Sequence, residues 1–243
     1  MRARLDTVLV ERGLATSREQ AKRLILAGAV RIAGQRAHKP SDWIPADAAV
    51  TVTAAEKYAS RGGYKLEAAL TAFAIDCRGA VAADLGASTG GFTDCLLQHG
   101  ARRVHAVDVG QGQLAWRLRQ DHRVVVHDRF NARSISRGEL GEAVDIVTVD
   151  VSFISLAKVL PAAVTLLRPG GTLVALIKPQ FEAGKKFVKR GGVVRDSAVH
   201  DQVKADITSL ITGPLGLRLV GMIESPLLGP AGNKEFLIVG RHP

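Results

Sequence analysis

Asp84-Leu85-Gly86-Ala87-Ser88-Thr89-Gly90-Gly91-Phe92-Thr93 is the stretch that decides the fold. An apolar run at 80–85 leads into it and a helical pattern at 92–99 follows, so it reads as strand, glycine turn and helix start. Glycines let a backbone turn tightly and approach a ligand closely. The spacing is neither GxGxxG nor a GK[ST] loop, which argues against a pyrophosphate cradle. Taken alone, residues 86–91 are also compatible with a generic βα turn.

Working outward, strand patterns recur at 103–109, 124–127, 144–150, 172–178, 217–224 and 235–239. Helical patterns lie between most of them, at 65–73, 92–99, 113–119, 156–167 and 197–212. Such alternation predicts a mostly parallel sheet covered on both faces, an α/β fold. Only residues 225–234 separate the last two strands, which predicts an antiparallel hairpin at or near a sheet edge.

Ligands of open parallel sheets bind beyond the carboxyl ends of the strands, at the switch point. Acids stand at four such ends: Asp84, Asp108, Asp128 and Asp150. Asp108, 22 residues past Gly86, is placed to accept both hydroxyls of a ribose, and Asp128 lies toward the adenine end. Together with Gly86, Ala87, Ser88, Thr89, Gly90, Gly91, Phe92 and Thr93, these residues make a cleft suited to a cationic adenosyl ligand. S-adenosylmethionine (SAM) fits that description. A capped helix or a solvated loop remains the alternative for any single acid.

Lys178 ends a buried apolar strand, which is costly unless the ammonium is paired or reaches a cleft. Lys65 opens the first helix of this region, Glu235 begins the last strand and Asp150 ends the fourth. All four can converge on one sheet edge, where they suit methyl transfer to a hydroxyl, a weak nucleophile that needs a base. A lysine serves as base only where desolvation or a second cation lowers its pKa. The plain alternatives are a strand-end lysine reaching solvent, a helix-surface lysine and a hairpin charge.

The chain has 243 residues, 47% hydrophobic and 23% charged, which fits one or two folded domains and excludes disorder. No apolar run is long enough to span a bilayer, and Arg2 and Arg4 do not begin a signal peptide. Two cysteines, Cys77 and Cys95, form no CxxC pair, and the histidines show no ligand spacing. No metal site is expected, and a reducing cytoplasm is the default compartment. The net charge is +10, concentrated in two places. Residues 1–40 hold nine Lys/Arg against three acids, and residues 178–195 hold six against one. That distribution favours a polyanion, nucleic acid before anionic lipid. Periodicity breaks near 54–63, where Gly62-Gly63 reads as a flexible pair. A boundary there predicts a small domain at 1–58 and a larger one at 59–243. In the small domain, helices around Leu5–Val10 and Ala21–Ile25, with Thr16 or Ser17 as N-cap, precede strands at 30–32 and 50–52.

The larger region resembles a Rossmann-like SAM-dependent methyltransferase of the FtsJ/RrmJ ribose 2′-O type, whose Lys-Asp-Lys-Glu tetrad is matched by Lys65, Asp150, Lys178 and Glu235. The first 60 residues resemble the small α+β RNA-binding domain of the fourth small-subunit ribosomal protein. Arg18, Gln20, Lys22 and Arg23 match its RNA-facing helix, and Arg2, Arg4 and Lys39 its basic rim. The combination resembles the TlyA family of haemolysin-like rRNA methyltransferases. The runs at 58–67, 84–94, 150–155, 177–182, 191–196 and 232–236 carry that likeness over essentially the whole chain. Where actinobacterial members have an Arg-x-Trp-Val linker, this chain has Glu56-Lys57-Tyr58-Ala59.

The resemblance implies 2′-O-methylation of cytidine in ribosomal RNA, with ribosomal subunits as partners, SAM as methyl donor and Lys178 as base. Arg61, Lys185, Lys186, Lys189 and Arg190 are expected to meet RNA phosphates. Phe153 and Phe181 are the candidate stacking residues. The competing readings are an RNA base N-methyltransferase, suggested by Asp150-Val-Ser-Phe153, a membrane-damaging protein, and an RNA-binding module with an inactive methyltransferase fold.

Overall fold

The computed structural model describes residues 2–53, 57–184, 187–188 and 191–243. Part of the expected linker (54–56) and the expected RNA contacts Lys185, Lys186, Lys189 and Arg190 lie outside the described residues. The chain divides into two compact units, Met1–Lys57 and Tyr58–Pro243.

The first unit runs β1 (Arg2–Arg4), α1 (Leu5–Glu11), α2 (Arg18–Leu26), β2 (Val30–Ile32), β3 (Gln35–Arg36), β4 (Trp43–Pro45) and β5 (Val50–Val52). β1 pairs with β4, and β2 with both β3 and β5, all antiparallel. Ser17 is the N-cap of α2, its hydroxyl accepting from Gln20 N at 3.1 Å. Leu5, Val8 and Leu9 of α1 pack with Ala21 and Ile25 of α2 and with Val30 and Ile44. β1, β3 and β4 have three residues at most, too short to show an alternation in the sequence.

The second unit begins with α3 (Gly62–Ala72), β6 (Val81–Leu85), α4 (Gly91–Gln98), β7 (Arg103–Asp108), α5 (Trp116–Arg119), β8 (Val124–Asp128) and α6 (Arg137–Leu140). It continues with β9 (Val144–Val149), α7 (Leu160–Leu166), β10 (Leu167–Ile177), α8 (Pro179–Glu182), α9 (Ser197–Thr212), β11 (Arg218–Glu224) and β12 (Phe236–Arg241). The sheet order is β11-β12-β10-β9-β6-β7-β8. β8, β7, β6, β9 and β10 are parallel neighbours, and β12 is antiparallel to both β10 and β11. The expected closing hairpin therefore forms, with β11 at the edge.

Both faces of the central strands β6, β9, β10 and β12 are buried, which is why these strands are mostly apolar. Leu173, Ala175 and Ile177 of β10 face a core shared with α7 and α9, while Val174 and Leu176 face a core shared with α3 and α4. The chain leaves β6 toward β7 and β8, then returns on its other side as β9 and β10. The switch point thus lies between β6 and β9, where Asp150 N donates to Leu85 O at 3.0 Å.

Three boundaries differ from the sequence reading. The helix expected at 156–167 is split into a 3₁₀ turn (Leu156–Lys158) and α7. Pro161 is the reason, since proline lacks an N–H and fits only the first turn of a helix. The helix expected at 113–119 shrinks to α5, because the chain after β7 loops through Gly110 and through Gly112 at φ +68°. Gly62 and Gly63 open α3 rather than serving as a flexible pair. A Cβ at Gly63 would stand 2.2 Å from Tyr58 Cγ, so glycine is needed for close packing under a buried tyrosine.

Candidate active site

A cavity of about 610 Å³ opens at the switch point. Its floor is the turn between β6 and α4: Gly86, Ala87, Ser88, Thr89, Gly91 and Phe92 line it. Gly86 N and Ala87 N both donate to Val107 O, at 2.9 and 3.1 Å, which fastens the turn to β7. Gly86 has φ +88°, and a Cβ there would lie 2.4 Å from the carbonyl oxygen of Asp150. The turn can therefore lie against the end of β9 only with glycine at this position.

The four tetrad residues also line the cavity. They form two ion pairs. Lys65, on α3, places Nζ 2.5 Å from Glu235 Oε2, and both residues are buried. Lys178, just past β10, places Nζ 2.5 Å from Asp150 Oδ1 and donates to Ser152 Oγ at 3.0 Å. Glu235 Oε1 is buried and has no hydrogen-bond partner among the described residues. It is a carboxylate oxygen held ready for a donor, and leaving it unpaired is costly.

Five of the residues expected to touch a cofactor do not line the cavity. Asp84 and Thr93 have no exposed surface. Asp84 instead accepts from Thr93 Oγ1 at 2.7 Å and from Thr148 Oγ1 at 3.0 Å, tying β6 to α4 and β9 from beneath. Asp84 stands opposite Ala106, two residues short of Asp108, so its side chain stays below the cleft. Gly90, Asp108 and Asp128 also lie outside the lining. Gly90 is the left-handed N-cap of α4. Asp108, at the end of β7, accepts from Ser88 N at 2.8 Å and Gly110 N at 2.7 Å. Asp128, at the end of β8, pairs with Arg119 at 3.0 Å and accepts from Gly112 N at 3.2 Å.

Burial pushes the Asp84 carboxyl up to about 6, against the lowering effect of its threonine partners. An acid raised by folding stabilises the fold fully below its unfolded pKa, near 4, and loses that contribution as pH rises through 6. Above pH 6 the ionised group costs on the order of 2–3 kcal/mol. Asp84→Asn carries no charge, so its stability relative to the parent should improve by that amount between pH 4 and pH 7. Urea unfolding at both pH values checks this, and an unchanged difference would contradict it.

Some lining residues were not singled out as site residues by the sequence. Ser60, Ser152, Gln180 and Asn233 line the cavity. All four lie inside motif runs quoted for the family resemblance, which was the available signal. Asn233 accepts from Val194 N at 2.9 Å and donates to Gly192 O at 2.8 Å, bracing the segment before Glu235. Phe153 and Phe181 border the cavity with ring centroids 5.2 Å apart. Phe153 is 92% exposed at φ +63°, a strained conformation for a non-glycine residue. Beyond these rings lies an open groove lined in part by Asn131, Arg133, Ser155 and Lys158. Arg61 is exposed at the mouth of the cavity.

In the first unit, Arg2, Arg18, Arg23 and Lys39 are exposed. Lys22 pairs with Glu19 at 2.7 Å, and Arg4 turns onto Asp6. Gln20 also serves the start of α2: its side-chain oxygen accepts from Thr16 N at 2.5 Å and Thr16 Oγ1 at 2.6 Å.

Residues 58–242 match the model of FtsJ-like methyltransferases, and residues 3–45 match that of S4 domains. The 16S/23S rRNA (cytidine-2′-O)-methyltransferase TlyA of Mycobacterium tuberculosis is 50% identical over 239 residues, covering 98% of this chain and 89% of that protein. Hemolysin A of Brachyspira hyodysenteriae is 40% identical over 96% of this chain and 98% of its own. A solved structure from Streptococcus thermophilus, also carrying a hemolysin name, is 40% identical with a TM-score of 0.75, covering 99% of this chain and 88% of that one. No helix among the described residues is long and apolar enough to cross a membrane.

Proposed function

The chain belongs to the FtsJ-like methyltransferases, in the TlyA family that also carries an S4 domain, and from that premise we propose that it methylates the 2′-hydroxyl of cytidine in ribosomal RNA, using SAM. The observation that carries this reading is the two ion pairs, the buried Lys65–Glu235 and the partly buried Lys178–Asp150, facing a glycine-lined cavity at the switch point.

The cavity fits SAM by shape and chemistry. Gly86 allows close approach of the backbone, and acidic oxygens suit a cationic ligand. Residues 86–89, with Gly91 and Phe92, would hold the cofactor, and Asp108 would take its ribose from the end of β7. SAM supplies an electrophilic methyl group on a sulfonium. Asp108→Ala removes both the ribose acceptor and the anchor of Ser88 N and Gly110 N. It should weaken SAM binding by about 1–3 kcal/mol, and unchanged affinity by calorimetry would refute the role.

On the acceptor side, Lys178 is the base. Asp150 and Ser152 hold its Nζ at the cavity, where it takes the proton of the 2′-hydroxyl. The freed oxygen would then be the nucleophile for the methyl group that SAM supplies. Lys65 and Glu235 position the ribose, with Glu235 Oε1 free to accept from a hydroxyl. Phe153 offers an aromatic face for a base turned out of its stack, the usual mode for unpaired RNA. Exposed arginines and lysines of the S4 unit, together with Arg61, Arg133 and Lys158, would neutralise phosphates.

Incubation with methyl-labelled SAM and purified ribosomal subunits tests the reaction. Label should enter the RNA of one or both subunits. Normal SAM binding with no label in either would contradict the proposal.

A further inference from the structure

Asp6 is an acid in one of the two basic stretches of the chain, and it has no exposed surface. Three guanidinium N–H groups converge on it. Arg4 donates from Nε to Oδ1 at 3.0 Å and from Nη2 to Oδ2 at 2.9 Å, and Arg18 donates from Nη2 to Oδ2 at 3.0 Å. Asp6 is itself held by the backbone. Its N–H donates to Pro40 O at 3.1 Å, and that of Leu5 to Asp42 O at 2.8 Å. The carboxylate is therefore a fixed post on which two arginines from different elements, β1 and α2, are hung.

The arginines are not consumed by this contact. Their side chains remain 37% and 55% exposed. Nη1 of Arg4, and Nε and Nη1 of Arg18, have no partner among the described residues. We propose that Asp6 is a positioning residue that sets Arg4 and Arg18 as a preformed clamp for RNA phosphates. The proposal rests on the RNA-methyltransferase reading above.

Two physical effects oppose each other at this site. Asp6 cancels part of the positive field that draws phosphate in, so Coulomb attraction alone would favour its removal. Against that, long side chains lose rotamer freedom when they bind, and a clamp already held in place avoids that loss. The bidentate Arg4 contact is the geometry that fixes a guanidinium plane most firmly. The charge is also permanent, because the Arg4 hydrogen bonds, the largest influence, outweigh burial and hold the Asp6 carboxyl far below the ordinary range.

The opposing signs make the test decisive. Asp6→Asn raises the net charge by one, so Coulomb attraction predicts tighter binding. The clamp predicts binding to purified ribosomal RNA weaker by roughly five- to fiftyfold, because both arginines lose their fixed placement. It also predicts a salt dependence shallower by up to about two phosphate contacts. Equal or tighter binding by a folded Asp6→Asn protein would overturn it. Thermal melts of the full chain follow folding in parallel.

Arg4→Gln/Arg18→Gln, with and without Asp6→Asn, supplies the second measurement. If Asp6 acts through the arginines, adding Asp6→Asn to the double variant causes no further loss of RNA binding. A further loss would mean that it acts through folding, and would also overturn the proposal. If the parent protein itself shows no salt-dependent binding to ribosomal RNA, the RNA reading fails instead, and the two failures are distinguishable.

Discussion

Lys178→Ala is expected to lower methyl transfer by about 10²–10⁴-fold, the usual contribution of a positioned general base. SAM binding should stay within about threefold of the parent, because the residues expected to hold it sit on the β6–α4 turn. The argument is geometric. Lys178 leaves β10 immediately before Pro179, and its side chain is pulled toward the cavity by Asp150 at 2.5 Å and Ser152 at 3.0 Å. Lys178→Arg sharpens the test. It keeps the positive charge but cannot give up its proton in a protein. If the lysine is a base, arginine rescues nothing. If it merely stabilises negative charge on the ribose oxygen, arginine restores much of the rate. Full activity in Lys178→Ala would sink the assignment.

Lys65→Met should cost the second unit about 3–5 kcal/mol, the typical penalty for breaking a buried ion pair from one side. Glu235 would be left buried with neither oxygen partnered, since Oε1 already lacks a donor and Oε2 depends on Lys65. The double variant Lys65→Met/Glu235→Leu removes both charges and should recover most of that stability, because two apolar side chains of similar volume replace the pair. It should not recover methyl transfer. Urea unfolding and label incorporation on the same preparations separate the two effects. A stable Lys65→Met protein would mean that water or another group reaches Glu235.

The central strands of the large sheet were legible because burial on both faces leaves them mostly apolar, as in Leu173 to Ile177. The cleft was legible from where acids and glycines fall at strand ends. The depth of each acid along its strand was not. Asp84 stands opposite Ala106, two residues short of Asp108, so Asp84 is buried beneath the cleft while Asp108 holds the loops at its rim. The tetrad was visible through its motifs, but its partition into Lys65–Glu235 and Lys178–Asp150 was not. Lys65 and Glu235 are 170 residues apart, and only the antiparallel return of β12 beside β10 brings them together. Pro161 already carried the signal that splits the helix expected at 156–167.

The most direct test of the central claim is the chemical position of the methyl group. RNA methylated by the protein is cleaved with alkali, and the products are identified by mass spectrometry. A methyl on the 2′-oxygen blocks cleavage at its own phosphodiester, so the account predicts an alkali-stable dinucleotide containing 2′-O-methylcytidine. A methyl on a base nitrogen would leave every linkage cleavable. That result would contradict the role given to Lys178 and favour transfer to a base amine at Asp150-Val-Ser-Phe153.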